Sequence, residues 1–256
     1  MYTDRGKEMY IELLKKAILF EIWQEHEQDL LAGWVAKREM PADPEKKRMG
    51  EIWPKFAHSM VGRMRMDNLQ MCMETVLNEN IEGDFIETGV WRGGACIFMC
   101  GFLKVHGIED RKVWLADSFQ GLPAPNEIKY PRDKGAGFHT FDYLRVSLEQ
   151  VQGNFQKYDL LDGNVRFLQG WFKDTLPIAP IDKLAILRLD GDLYESTMDS
   201  LTNLYDKVSK GGFIIIDDYA LPTCEPAVTD FRRERNITEP LIRIDNHAVY
   251  WRKLKD

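Results

Sequence analysis

Two apolar runs in this chain each end on paired acids. The run 184–189, with Arg188 as its one charge, leads into Asp190-Gly191-Asp192, and the run 211–216 leads into Asp217-Asp218. Runs of this kind read as buried parallel strands, and open parallel α/β sheets bind ligands beyond the carboxyl ends of their strands. The four carboxylates should therefore converge. Carboxylates held close together repel unless a cation or a raised pKa relieves them, so the pattern points to a divalent-metal site. Hard oxygen ligands favour Mg²⁺, or Mn²⁺ and Ca²⁺, over zinc. The competing reading is that Asp190 or Asp218 merely caps the next helix, which explains one acid per strand end more readily than two.

A second constellation lies upstream. Glu87-Thr88-Gly89 is followed by Val90-Trp91-Arg92-Gly93-Gly94, a glycine turn between a strand and a helix. Glycines let a backbone pass close to a ligand, and the helix N-terminus that follows favours negative charge. The spacing Gly-x-x-x-Gly-Gly is not the dinucleotide fingerprint Gly-x-Gly-x-x-Gly, which disfavours a nicotinamide-linked dehydrogenase. Asp117 closes the next strand, where a carboxylate can accept both hydroxyls of a ribose. A ribose acid beside a glycine turn without a phosphate fingerprint suits a nucleoside lacking pyrophosphate, of which S-adenosylmethionine is the obvious candidate. Gly170-Trp171-Phe172 adds aromatic surface suited to an adenine, although core aromatics and a loop-capping Asp117 would look the same in sequence.

These residues need a sheet to hold them. Strands are expected over 83–89, 112–117, 165–168, 184–190 and 211–217, with helices over 94–106 and 143–158 between them. That alternation gives a doubly wound, Rossmann-like α/β sheet. The runs 241–244 and 248–251 add an antiparallel C-terminal edge hairpin. The stretch 121–137 is rich in Pro and Gly and too long for a tight connection, so it reads as a lid or binding loop. Upstream, an amphipathic helix over 5–34, a charged mobile connector over 35–50 and a helix over 67–80 compose an N-terminal cap. The expected organisation is a helical cap or lid over 1–80 and one compact Rossmann-like unit over 81–256.

Composition narrows the class. The 256 residues carry a net charge of −7, with 44% hydrophobic and 29% charged residues, which is the profile of an ordinary globular protein. An acidic chain is a poor general nucleic-acid binder, because such proteins need a basic surface to displace counterions. No apolar run reaches membrane-spanning length and the first residues show no signal-peptide core, so the expectation is a cytoplasmic protein. Cys72, Cys96, Cys100 and Cys224 show no zinc-type pairing and read as small buried residues.

Several motifs, taken whole, resemble the macrocin O-methyltransferase family. They are Ile86 through Gly94, Ala116-Asp117-Ser118-Phe119, Gly170 through Pro177, Leu187 through Thr197 and Asp217-Asp218-Tyr219. The resemblance spans nearly the whole chain. It implies S-adenosylmethionine- and Mg²⁺-dependent methylation of a sugar hydroxyl, as in macrolide and aminocoumarin biosynthesis, by a homodimer. By position it implies Asp190, Asp217 and Asp218 as metal ligands, with Asp190 also near the cofactor, and Asp192 as general base. It places Glu87, Thr88 and Gly89 at the cofactor's methionine end, Asp117 and Ser118 at its ribose, and Gly170, Trp171 and Phe172 at its adenine. Met60 and Val61 would fold over cofactor and acceptor. Trp53, Met60 and His139 would face the acceptor sugar. The sequence departs from the antibiotic enzymes at Gly50-Glu51-Ile52-Trp53 and in the loop 134–139, the places that would read the acceptor. A catechol-type O-methyltransferase uses a similar acid set on an aromatic diol. A non-catalytic binding protein on this fold would be expected to have lost one of the acids, and all are present.

Overall fold

The computed structural model describes residues 4–255. At its centre is a seven-stranded sheet in the order β3-β2-β1-β4-β5-β7-β6. Its strands are β1 Asp84–Thr88, β2 Val113–Asp117, β3 Val165–Gln169, β4 Leu184–Leu189, β5 Val208–Ile216, β6 Ile242–Arg243 and β7 Val249–Arg252. Strands β1 to β5 are parallel, while β7 runs antiparallel to β5 and β6 antiparallel to β7. The doubly wound sheet and the antiparallel edge hairpin are as the sequence predicts. Strand order reverses between β1 and β4, the switch point where parallel α/β sheets leave a crevice.

Both faces of the sheet are apolar because both are covered. Ile86, Leu187, Ile214 and Ile216 pack with Leu201 of α8 (Tyr194–Leu204) and Val228 of α9 (Cys224–Glu234). Phe85, Leu115, Ile186 and Ile215 alternate with them and meet α4 (Gly62–Asn78) and α5 (Gly94–His106) through Met73 and Phe98. Two short helices complete the body, α6 Leu148–Lys157 and α7 Phe172–Thr175. Among the described residues no helix is long and apolar enough to cross a membrane.

The N-terminal quarter departs from the sequence reading. The helix expected over 5–34 is two helices, α1 Asp4–Ile18 and α2 Leu30–Ala36. Phe20, in the left-handed region at φ 56°, breaks the first, and Asp29 caps the second by accepting from Ala32 N. The break lets buried Glu27 reach the N–H groups of Phe56 and Ala57 at 2.9 and 3.0 Å. The expected connector over 35–50 contains α3, Pro44–Arg48, whose cap Asp43 accepts from Glu45 N and Lys46 N. Helix α4 starts at Gly62, earlier than expected, and α6 starts at Leu148, later than expected, because Ser147 supplies its cap through Gln150 N.

Helix α1 lies on α5. Ile11, Leu14 and Ile18 are buried there, each contributing about 1.5–3 kcal/mol of hydrophobic stabilisation. A Cβ on Gly101 of α5 would come within 2.3 Å of Leu14 Cδ2, so the glycine sets how closely the helices approach. Residues of the 1–80 segment thus share one core with the sheet; residues 1–3 of that segment lie outside the described residues.

Candidate active site

A cavity of about 320 Å³ opens at the carboxyl edge of β1, β2 and β4. Met60, Val61, Glu87, Gly89, Asp117, Ser118, Gly170, Trp171, Phe172, Asp190 and Asp192 all line it. Five other residues singled out in the sequence do not. Thr88 is fully buried behind β1, its hydroxyl 3.1 Å from that of Ser200. Asp217 and Asp218 stand beside the cavity next to Asp190. Trp53 stacks on Tyr143, with ring centroids 5.0 Å apart, and meets Trp34 edge-on. His139 sits in a short 3-10 turn, where its carbonyl accepts from Arg145 at 3.1 Å. The structure therefore brings neither Trp53 nor His139 to the cavity wall.

The glycine turn is dictated by the protein's own packing. At Gly89, φ 89°, a Cβ would lie 1.6 Å from the Asp190 carbonyl oxygen, and at Gly94 it would lie 2.4 Å from that of His58. The first glycine lets β1 and β4 converge, and the second lets the 57–61 segment cross the start of α5. Gly89 also lines the cavity, so the same turn that packs β1 against β4 exposes its backbone there. Arg92 holds the crossing segment by donating to the carbonyls of Lys55 and Ala57 at 3.0 and 2.7 Å, which sets Met60 and Val61 over the cavity. Across the turn, Asp117 accepts from Val90 N through Oδ2 at 2.8 Å and from Phe119 N through Oδ1 at 2.7 Å. Burial raises its pKa and these N–H groups oppose the rise. Each carboxylate oxygen retains a further lone pair.

The second corner is built around Arg188, which is 2% exposed. Parallel register puts Arg188 beside Glu87, and its guanidinium reaches Glu87 Oε1 at 2.5 Å, Asp190 Oδ2 at 2.8 Å and Asp217 Oδ1. Arg65 of α4 reaches Asp217 Oδ2 at 2.5 Å and Asp245 Oδ2 at 2.6 Å. The Cys96 thiol donates to Glu87 Oε2 at 3.0 Å. One buried chain of charge thus runs from the glycine turn through the strand-end acids to the β6–β7 hairpin.

Asp192 and Asp218 have no such counter-ion among the described residues. Asp192 adopts φ 58°, uncommon for a residue with a side chain. Its N–H donates to Asp218 Oδ2 at 3.0 Å, and its carbonyl accepts from the Thr223 hydroxyl. Burial, with Asp190 and Asp217 nearby, pushes the Asp192 pKa up to about 8. Burial and then Asp217 lift Asp190 to about 6 against the pull of Arg188. Burial and Asp192 hold Asp218 well above the ordinary carboxylate range. Oxygen atoms of Asp190, Asp217 and Asp218 all lie within 4.8 Å of one another. A hard cation placed among them would find an all-carboxylate donor set and would relieve the repulsion that raises these pKa values.

Sequence reasoning noticed Arg188 only as the odd charge in a strand, and it missed Arg65. It also missed cavity residues Trp91, Leu122, Asn126, Glu195 and Asp199, although the Pro-rich stretch that supplies Leu122 and Asn126 stood out as a binding loop.

The chain was compared with known proteins. The family model described as macrocin-O-methyltransferase (TylF) matches residues 7–253. Demethyldecarbamoylnovobiocin O-methyltransferase of Streptomyces niveus is 47% identical over 257 residues, covering 99% of this chain and 96% of the relative. A tetracenomycin rhamnosyl 4'-O-methyltransferase of Streptomyces olivaceus is 48% identical, covering 98% and 94%. Mycinamicin III 3''-O-methyltransferase of Micromonospora griseorubida is 46% identical, covering 99% of each chain. The solved structure of the O-methyltransferase NovP superposes with a TM-score of 0.91 at 47% identity, covering 97% of this chain and all of the other.

Proposed function

The chain belongs to the macrocin-O-methyltransferase family, and from that premise we propose that it transfers a methyl group from S-adenosylmethionine to a hydroxyl of a deoxysugar on a glycosylated natural product, with Mg²⁺ at the strand-end acids. The observation that carries this reading is the meeting, at one carboxyl edge, of the cavity that exposes Glu87, Asp117 and Asp192 with three further carboxylate groups within 4.8 Å of one another, one of them the cavity residue Asp190. The sugar class is supported by the relatives, which are named for rhamnosyl tetracenomycin, mycinamicin and novobiocin substrates.

In this reading Asp117 accepts the two ribose hydroxyls, Glu87 faces the amino group of the methionine end, and Trp171 with Phe172 covers the adenine. When bound, S-adenosylmethionine supplies an electrophilic methyl group and Mg²⁺ on Asp190, Asp217 and Asp218 lowers the pKa of the acceptor hydroxyl. Asp192 takes the hydroxyl proton as general base. Its position is fixed by the bonds from Asp192 N to Asp218 and from Thr223 to the Asp192 carbonyl, so the base is oriented before the acceptor arrives. Met60 and Val61, held by the Arg92 strap, exclude water from the cavity.

The test is calorimetric binding of S-adenosylhomocysteine and of Mg²⁺. The expected result is nucleoside binding plus a separate Mg²⁺ signal that disappears in Asp218→Asn. Asp218 is the better probe than Asp217, because removing Asp217 would also strip both arginines of a buried partner. Absence of nucleoside binding would overturn the cofactor reading, and an unchanged Mg²⁺ signal in the variant would overturn the metal reading.

A further inference from the structure

Helix α8 begins immediately after the turn that carries Asp190 and Asp192, yet its own N-cap position is Leu193, which offers no side-chain acceptor. The first N–H groups of a helix need partners from elsewhere when the cap residue supplies none. Here the partner is Asp133, sixty residues upstream and fully buried. Its Oδ1 accepts from Tyr194 N at 2.6 Å and its Oδ2 from Glu195 N at 3.1 Å. Asp133 belongs to the 121–145 loop, of which Leu122, Pro123, Ala124, Asn126 and Leu144 line the cavity. Among the described residues of 122–137, it is the side chain that hydrogen-bonds outside the loop. The loop's other side-chain hydrogen bonds there are internal, from Lys129 N to Asn126 and from Gly135 N to Glu127. The Tyr130 ring meets the Tyr194 ring 6.1 Å away, at the same junction.

We propose that Asp133 is a positioning residue that locks the cavity-covering loop and the 190–195 turn into one unit. The turn needs such support. It holds Asp192 at positive φ, a conformation that persists only when its surroundings over-determine it. Asp218 grips its N–H, Thr223 its carbonyl, and Asp133 the N–H groups of Tyr194 and Glu195. Of these three grips, Asp133 alone comes from the loop, so closure of the loop and placement of the turn depend on the same carboxylate. The inference rests on the reading of this cavity as the cofactor and acceptor site.

Limited trypsin digestion and S-adenosylhomocysteine calorimetry test it on the full chain. Lys129 is exposed in the loop and reports its release by cleavage at Lys129, whereas cuts at Arg132 and Lys134, which flank the substituted position, are not scored. Asp133→Ala should be cut at Lys129 at least tenfold faster than the unmodified protein and should bind S-adenosylhomocysteine at least fivefold more weakly. Asp133→Asn keeps one acceptor oxygen and should fall between the two, a partial rescue that also decides the matter if the alanine variant does not fold. Asp43→Ala is the matched control. It also loses two backbone N–H bonds at a helix start, outside the cavity lining, and should move neither readout. The proposal is overturned if both Asp133 variants are cut and bind like the unmodified protein, or if Asp43→Ala reproduces their effects. Failure of the unmodified protein to bind S-adenosylhomocysteine would instead overturn the cofactor reading, and loop cleavage would still decide the role of Asp133.

Discussion

At the β1–β2 corner one carboxylate, Asp117, has a backbone N–H on each oxygen. At the β4–β5 corner stand Asp190, Asp192, Asp217 and Asp218 with two arginines, of which Arg188 pairs with Asp190 and Asp217 and Arg65 with Asp217. The first corner is complete as folded and offers spare lone pairs to a ligand. The second is under-neutralised, with Asp192 and Asp218 driven toward protonation by burial and by each other's neighbours. Buried charge without a partner is costly, and folds retain it where chemistry uses it. In the function proposed above, the first corner recognises the cofactor and the second handles proton and cation.

The sharpest way to break that division is Asp192→Asn. If Asp192 is the base proposed for the second corner, the substitution should cost on the order of 10²–10⁴-fold in turnover, while S-adenosylhomocysteine affinity, proposed to be set at the first corner, should stay within about twofold. Steady-state kinetics with a rhamnosylated acceptor, paired with calorimetry, measures both. A fully active variant would remove Asp192 as base, and a large loss of nucleoside affinity would show that the corners are not separate.

Arg188→Met probes the counter-charge. Removing one partner from a buried ionic network leaves the rest uncompensated, at a cost of about 3–5 kcal/mol. For a chain of this size that lowers the melting temperature by about ten degrees. Mg²⁺ should restore part of the loss, because a cation among Asp190, Asp217 and Asp218 replaces some of the missing positive charge. A variant as stable as the unmodified protein would mean that Arg188 is not the counter-ion.

How much of this was legible in the sequence differs between the corners. The strand-end acids were readable because apolar runs that stop at Asp190 and Asp217 report their own burial and direction, and the resulting sheet order follows from alternating elements. The two arginines were not readable in their roles. Arg188 is recruited by cross-strand register with Glu87, and Arg65 arrives from a helix more than a hundred residues away from its partner, so local pattern carries neither fact. The glycines were seen but their packing role was not, since the atoms they make room for, the carbonyls of Asp190 and His58, belong to distant segments. The break at Phe20 was hidden because no Pro or Gly lies between Gly6 and Gly33 to mark it, while Glu27 is needed under residues 56 and 57 only in three dimensions.

The first corner rejects charge where it packs, and His58 measures this. Its carbonyl lies against Gly94, its Nδ1 is 2.7 Å from the Tyr158 hydroxyl, and burial, with Lys157 and Arg92 nearby, lowers its pKa from 6.5 to about 4. The folded state therefore binds fewer protons than the unfolded chain between these values. The linkage makes stability rise with pH across that interval, so the contribution is fully present above about pH 6.5 and is lost as pH falls toward 4. The full shift corresponds to roughly 3–4 kcal/mol at most. His58→Gln keeps a hydrogen-bonding side chain that does not titrate. Urea unfolding of both proteins at pH 5 and 7.5 should show a smaller acid-side loss in the variant, with the gap closing at the higher pH as far as the substituted side chain allows. Equal losses in the two proteins would mean that His58 takes up its proton without disturbing the fold, and the segment over the glycine turn would then tolerate charge as readily as the acid corner does.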